Sequence, residues 1–374
     1  MAQRHARPGS VLNFMDMPRL FGHDTFFGEQ VQRYSAGGSN SFVHVLLHST
    51  NGDTAPDDNA VQCVEPFELT ERMWICRLPD DLRDFVYQAC ESPGVPYQNA
   101  FRQYGQLYTI ALFTGPSAPG QLSGWDAYGH ITQFVAFSQL VHPTSIGFGN
   151  SVRFTFGPNG GFIRADPGPC RGITEQAFTI PHHRNWISRK ECEQVKDLLA
   201  NANPKGLPDK VARAHWNVQH AAYQYFFEVR ALLTVSALEA LLNTRNPSSK
   251  RRGPGAGAQF KRRAVRLAEL VEVTLTPDDA NEIWDHRSDI AHGRDPWASR
   301  RSGRDESQRP LELTKDDKTV RKYLRAEQVL RATVLRCLTD HEFAAIFASD
   351  SSVEKHFPIT DGHLGINPGA GGPD

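Results

Sequence analysis

Short apolar runs separated by turn-forming residues dominate the chain up to about residue 185. Runs of this length, rich in β-branched and aromatic residues, are typical of strands. Three strands are predicted on this ground, in SFVHVLLHS (41–49), RMWICRL (72–78) and QLYTIALFT (106–114). The segment SVRFTFGPNGGFIRADP (151–167) predicts a hairpin around its GPNGG turn, and AYGHITQFVAFSQLVH (127–142) favours a helix packed on the sheet. Residues 1–185 are therefore predicted to form an α+β domain rich in strands.

From about residue 186 the apolar residues recur at helical spacing instead. The stretch SRKECEQVKDLLA (188–200) opens with a capping box made by Ser188 and Glu191. Further helical patterns cover residues 210–242, 258–273, 276–292 and 315–347. Helices joined by polar loops predict an all-α bundle of four to five helices over residues 186–347. Residues 348–374 end in a Gly- and Pro-rich stretch and are predicted to be a mostly flexible tail.

Composition and charge narrow the classes of function. The chain has 374 residues, enough for two domains, and a formal net charge of −1, so a nucleic acid would have to meet a local basic patch. The six cysteines are scattered and form no CxxC pair, which argues against a disulfide framework and a zinc site and fits a reducing cytoplasm. No apolar run has the length of a membrane span or a signal peptide. We expect no metal and no cofactor.

The helical pattern over residues 276–292 ends in the sequence EIWDHRSDIAHGR, which carries the strongest chemical signal. Thr276 is a good N-cap, and Gly293 is a natural C-terminal stop. Arg287 and His292 lie five residues apart, about 140° around a regular helix, so they do not share a face. Because Gly293 ends the helix, however, the unwinding chain can redirect the His292 ring, so that a site can form at the helix end, particularly if a second copy faces it.

An arginine and a histidine at such a site suit RNA cleavage. Histidine can take a proton from a 2′-hydroxyl or return one to a leaving oxygen, and arginine offers charged donors to a phosphate. Asp289 is close enough in sequence to orient the histidine ring, and Ser288 adds a polar group beside Arg287. The spacing alone is a weak signal, because a basic residue in the last turn also complements the helix dipole.

The stretches ALEALLNT (237–244), QFKRRAVRLAEL (259–270) and IWDHRSDIAHGR (283–294) resemble the HEPN superfamily, in particular its ApeA-like branch. The likeness covers roughly residues 205–345. The mark of that superfamily is an arginine, four to six residues and then a histidine, and Arg287 and His292 have four residues between them. The pair His292 and Gly293, and the acidic Glu239 in the first long helix, also match this branch.

The resemblance implies a bundle that dimerises and, in many members, acts as a metal-independent ribonuclease in phage defence or as a toxin. Arg287 and His292 would then be catalytic and would meet their dimer mates in a shared cleft. An antitoxin or a phage-derived molecule would be a further partner, and the N-terminal half would have a sensing role. Ser288 departs from the Asn, Asp or His that often follows the arginine in active members. Other members only bind nucleotides or regulate a partner.

Two features leave alternatives open. Glu239 lies in an apolar stretch and either pairs with Arg287 or His292 across the bundle or points outwards. Basic residues before and after the motif form either a solvated face or a phosphate-binding rim. The candidate RNA-binding residues are Arg251, Arg252, Lys261, Arg262, Arg263 and Arg294.

The favoured function is thus a metal-independent endoribonuclease that acts on RNA as a homodimer. The main alternative is a non-catalytic HEPN module that binds RNA, a nucleotide or a partner protein. In a third interpretation, the N-terminal domain carries the specific function as a ligand sensor.

Overall fold

The chain divides into two compact units. The computed structural model describes residues 26–35, 41–49, 66–77, 108–114, 124–143, 147–157, 160–167, 178–179, 187–222, 224, 227–244, 255–294, 311–312 and 318–359. The first unit comprises Met1–Ile173 with His183–Ala200, and the second comprises Thr174–His182 with Asn201–Asp374. The predicted boundary at residue 185 differs from this division, in which the helix that follows it belongs to the first unit.

A six-stranded antiparallel sheet forms the centre of the first unit, with the strand order β2-β3-β4-β1-β5-β6. The strands are β1 (Ser41–Ser49), β2 (Phe67–Thr70), β3 (Met73–Arg77), β4 (Tyr108–Thr114), β5 (Gly147–Phe156) and β6 (Phe162–Pro167). The predicted strands and the predicted hairpin between β5 and β6 are confirmed, with Phe154 opposite Ala165. Gly160 in the turn of this hairpin has a φ of 74°, a backbone conformation that residues with a Cβ rarely adopt.

Among the described residues of this unit, three helices accompany the sheet: α1 (Phe26–Ser35), α2 (Gly124–Val141) and α3 (Arg189–Asn201). The helix predicted over residues 127–142 is confirmed as α2, which buries Phe134 and Phe137. The capping box that starts α3 is present, because the Ser188 amide donates to Glu191 over 2.6 Å and the Ser188 hydroxyl accepts from the Glu191 amide. Sheet and helices together give the α+β character expected of the N-terminal half.

Seven helices are described in the second unit. They are α4 (Asp209–Ala222), α5 (Phe227–Leu242), α6 (Ala256–Leu270), α7 (Pro277–Ala291), α8 (Lys318–Thr339), α9 (His341–Ala345) and α10 (Asp350–His356). A 3-10 turn (Pro204–Gly206) precedes them, and the parallel strands β7 (Phe178–Thr179) and β8 (Leu311–Glu312) pair with each other. Helix α5 lies centrally and packs against α4, α6, α7 and α8. The predicted helical bundle is confirmed at this level.

Two boundaries in the second unit differ from the sequence prediction. The single helical stretch expected over residues 210–242 is two helices, and the Gln224 side chain closes the first by donating to the His220 carbonyl over 2.9 Å. Residues 350–356 of the predicted flexible tail form α10, which is held to the bundle by buried Val353 and Phe357. Lys210 adds an ion pair with Asp350 over 2.9 Å.

A buried polar triad joins α5 to α8. Arg230 donates to the Tyr323 hydroxyl and to Glu327, and the Tyr323 hydroxyl donates to the same carboxylate over 3.0 Å. Burial raises the pKa of Tyr323, so its hydroxyl keeps its proton and remains a donor. Phe227 and Tyr323 lie in one apolar cluster against which Ile290 of α7 packs. The C-terminal part of α7 is thereby tied to the core of the bundle.

Within the described parts of the chain, none of the helices combines the length and the apolar character that crossing a membrane requires.

Candidate functional site

Helix α7 positions the two residues of the arginine–histidine motif. It begins with a capping box, in which the Thr276 hydroxyl accepts from the Asp279 amide and the Asp279 carboxylate accepts from the Thr276 amide. Asp279 also pairs with Arg325 of α8. The start of the helix is therefore anchored, and the predicted N-cap is confirmed.

The end of α7 is a left-handed glycine cap. Gly293 has a φ of 68°, its amide donates to the Ile290 carbonyl over 3.1 Å, and the Arg294 amide donates to the Asp289 carbonyl over 2.8 Å. This pair of bonds is the Schellman arrangement, which closes a helix. His292 is the C-cap residue, just beyond the regular helix, and it is exposed. The predicted stop at Gly293 is confirmed, and the histidine stands at the helix end in contact with solvent.

Arg287 is paired with Glu239 of α5. Its Nη2 donates a hydrogen bond to Oε2 of Glu239 over 3.2 Å. Its Nε lies 3.1 Å from Oε1, close enough for an ion pair, but this contact does not meet the geometry of a hydrogen bond. The Glu239 side chain is largely buried, and the Arg287 side chain is 28% exposed. Burial raises the pKa of Glu239, and the arginine opposes that shift. Of the alternatives for Glu239, the pairing with Arg287 is confirmed.

Trp284 lies one turn before Arg287 and contacts it. The guanidinium carbon is 5.4 Å from the centre of the Trp284 ring, within the range of a cation–π contact. Trp284 is not among the site residues predicted from the sequence. Its signal was present, since residues three apart on a helix are neighbours and tryptophan is the ring that cations favour most.

The other predicted supporting residues have different surroundings. The Asp289 carboxylate lies 3.9 Å from Nε of Arg294, and among residues 287–294 no hydrogen bond or ion pair joins it to His292. The expectation that Asp289 orients the histidine ring stays a prediction, and in this structure the carboxylate lies nearer to Arg294. Ser288 is half-buried, and its carbonyl accepts from the His292 amide over 3.0 Å.

The predicted RNA-binding residues do not form one uniform group. Arg294 is exposed, Arg262 is half-buried, and Lys261 lies 3.5 Å from Asp285 of α7. Arg251 and Arg252 lie outside the described residues. The predicted rim around the site thus carries Arg294, which is exposed and lies 3.9 Å from Asp289, and Lys261, which lies near Asp285.

Arg263 is a structural residue, and its assignment to RNA binding is wrong. It is 4% exposed and donates to the carbonyls of Phe357 and Leu242, to the Thr244 hydroxyl and to the Gln259 side chain. The guanidinium of Arg263 therefore links α5, α6 and the segment after α10, and its donors are engaged within the protein. Sequence spacing could not separate it from its neighbours Arg262 and Lys261.

The described residues contain no group of three or more histidine, cysteine or acidic side chains that is arranged to hold a metal ion. Comparisons of the chain with models of protein families, with curated proteins and with solved structures found no match. The chemical capacity of the site therefore lies in its side chains. An exposed imidazole can exchange a proton with a ligand, and a guanidinium held on one edge can bind an anion.

Proposed function

We propose that the second unit is a metal-independent endoribonuclease of the HEPN type. The observation that carries the proposal is the arrangement at the end of α7: His292 is the exposed C-cap, and Arg287, five residues earlier, is fixed by Glu239. This pairs a group that can transfer protons with a held cation. The bundle of α4 to α8 and the arginine–histidine spacing agree with the resemblance of residues 205–345 to that superfamily.

The proposed reaction uses the 2′-hydroxyl of RNA as the nucleophile. The imidazole of His292 takes the 2′-hydroxyl proton, and the 2′-oxygen forms a bond to the adjacent phosphorus. The bond from phosphorus to the 5′-oxygen breaks, and that oxygen leaves with a proton from a protonated imidazole. The products are a 2′,3′-cyclic phosphate and a 5′-hydroxyl. Arg287 stabilises the negative charge that builds up on the phosphoryl oxygens.

We place the reaction in a homodimer, because one imidazole cannot be base and acid in the same step. Two copies of α7 facing each other across a two-fold axis would supply two histidines and two arginines to one cleft. Such a protein would act in the cytoplasm, in phage defence or as a toxin, and the first unit would sense a trigger or bind an antitoxin partner.

The test is cleavage of single-stranded RNA in the presence of EDTA, with analysis of the product ends. We expect cleavage to continue, to leave a 2′,3′-cyclic phosphate or the derived 3′-phosphate, and to spare an all-2′-deoxy strand. Cleavage that stops on chelation and returns with Mg²⁺ would falsify the mechanism.

Two observations favour a second candidate, a non-catalytic module that binds RNA, a nucleotide or a partner protein. The Arg287 charge is already neutralised by Glu239, and Ser288 stands where many active members carry Asn, Asp or His. In that case the protein would retain an oligoribonucleotide on a filter or a column without cleaving it, and His292→Ala would bind as well as the wild type.

A further inference from the structure

The contacts of Arg287 occupy two of its sides and leave one edge open. A guanidinium offers five N–H donors in a plane. The edge formed by Nε and Nη2 faces the Glu239 carboxylate, and the Trp284 ring lies 5.4 Å from the guanidinium carbon. No contact engages Nη1 within the described residues. With 28% of the side chain exposed, the end formed by Nη1 and the second N–H of Nη2 is the part that can still receive a ligand.

The Trp284 ring is itself fixed by helix α6. It packs on Phe260 with 5.5 Å between ring centres. Gly257 lies so close that a Cβ there would come within 2.8 Å of Cε2 and 2.9 Å of Nε1 of the ring. A side chain larger than hydrogen at residue 257 would therefore displace the ring or the helix, so the glycine permits the ring position. The guanidinium rests on a surface that has little freedom to move.

We infer that Trp284 is a positioning residue for Arg287, and that the arginine receives an anionic oxygen end-on, through Nη1 and the free N–H of Nη2. The ring restricts the arginine to one orientation, and Glu239 removes the side-on edge from use. Bidentate binding of a phosphate through Nε and Nη2 is thereby excluded unless the Glu239 side chain moves away from this edge. The identity of the anion as an RNA phosphodiester rests on the proposed function, whereas the role of the ring does not.

The role of the Arg287 charge and the role of the Trp284 ring can be measured separately, because the first affects the salt dependence of RNA binding and the second affects the rate of cleavage. Loss of the Arg287 charge removes a phosphate contact and should weaken the salt dependence of RNA binding by about 0.7–0.9 in the slope of log affinity against log salt. Loss of the ring keeps the charge and leaves that slope unchanged. It misplaces the guanidinium instead, and a displacement of about 1 Å can cost on the order of 10²-fold in rate.

The first experiment observes the arginine directly, without any assay of activity. The Nε–H signal of Arg287 in a proton–nitrogen correlation spectrum is assigned by its loss in Arg287→Lys. We expect it to shift in Trp284→Leu, because the ring current is lost, and to stay near the wild-type position in Trp284→Phe. Gly257→Ala keeps the ring but displaces it, and so should also shift the signal. The control is Trp216→Leu, which removes a 56%-exposed tryptophan on α4.

The second experiment measures cleavage of a short single-stranded oligoribonucleotide by the same variants. Trp284→Leu and Gly257→Ala should lower kcat by on the order of 10- to 100-fold at an unchanged salt slope. Trp284→Phe should recover most of the rate, and Trp216→Leu should match the wild type. An unshifted Arg287 signal, or full cleavage, in folded Trp284→Leu and Gly257→Ala would overturn the inference. If the wild type does not cleave RNA at all, the proposed function fails, and the spectra alone decide the role of Trp284.

Discussion

His292 is the residue on which the proposed chemistry depends most directly. It lies exposed at the C-cap, so His292→Ala removes an imidazole without opening a cavity. Substitutions of this kind usually change the free energy of unfolding by about 0.5 kcal/mol or less. The loss of proton transfer should lower the cleavage rate by on the order of 10²–10⁴-fold. Thermal melting and cleavage measured on one preparation check both statements.

The matched control for this substitution is His341→Ala, which removes another exposed histidine from the same unit. It should melt and cleave like the wild type. If His292→Ala instead melts many degrees lower and keeps its activity per folded molecule, the histidine is a structural cap, and the binding-module function becomes the better proposal.

Arg263 gives the opposite expectation, because its role is in the core. Arg263→Ala would leave buried acceptors on several elements without their donor, among them the carbonyls of Leu242 and Phe357. We expect the free energy of unfolding to fall by on the order of 3 kcal/mol. Arg266→Ala, on the exposed side of the same helix, should change it by about 0.5 kcal/mol or less. Urea denaturation of the two variants is the measurement, and equal midpoints would contradict the structural assignment.

Glu239 should make stability depend on pH in a defined direction. Burial raises its pKa above the ordinary value of 4.5, so the folded protein holds the proton more tightly than the unfolded chain does. Its contribution to stability is therefore fully present below about pH 4.5 and is lost as the pH rises through the folded-state pKa. The stability of the wild type relative to Glu239→Gln should decrease over that interval. The free energy of unfolding of both proteins is measured by denaturation from pH 4 upwards, in steps of about half a pH unit. A stability advantage of the wild type over Glu239→Gln that grows with pH would contradict the expectation.

At the scale of single residues the sequence predicted types of side chain better than their partners. The pairing of Glu239 with Arg287 was one of three alternatives, since a carboxylate in an apolar stretch either finds a cation or a histidine or points outwards. Position in the sequence did not reveal the partners of Asp289 and Arg263. A carboxylate near two basic groups in sequence does not reveal which of them it will contact, and one arginine of a basic run can turn inwards when carbonyls of other helices point at it.

The glycine cap of α7 links an element boundary to the proposed chemistry. Gly293→Val places a β-branched residue at a φ of 68°, which should cost about 1–2 kcal/mol and lower the melting temperature. Gly293→Asn is the matched variant, since asparagine tolerates this conformation better than other side chains with a Cβ. We expect both melting temperature and cleavage to decrease in the order glycine, asparagine, valine. Equal melting temperatures for the valine and asparagine variants would show that the cap is not required.

At the scale of elements, the boundaries that were predicted are those with explicit local signals. Thr276 with Asp279, Ser188 with Glu191, and Gly293 each satisfy backbone groups locally, so a short sequence is sufficient to identify them. The break between α4 and α5 has no glycine or proline. Helix α10 has a local signal in its N-cap Ser349, which accepts from the Ser352 amide, but the prediction did not use it, and this short helix also packs against distant residues. Stabilisation by tertiary packing leaves no local pattern to detect.

At the scale of the whole molecule, the proposed cleft needs two chains. If both histidines of a dimer serve one cleft, a dimer that contains one His292→Ala chain should be inactive. In a random equal mixture of wild type and His292→Ala, one quarter of the dimers have two wild-type chains, so we expect about one quarter of the wild-type rate. Light scattering should show a dimer at micromolar concentration. A rate of about one half, together with an active monomer, would confine the site to one chain.

The ties between α10 and the earlier helices set an order of events during synthesis. The hydrogen bond from Arg263 to the Phe357 carbonyl spans 94 residues, and that from Thr244 to Glu354 spans 110. Protein segments emerge from the ribosome in sequence order, and early parts can fold first. Helix α7 is therefore made well before the segment that closes the bundle around α5 and α6. If the unit cleaves RNA, a chain that is still being translated carries Arg287 and His292 without the completed bundle around them, and it reaches its final form only after residue 357 has been added.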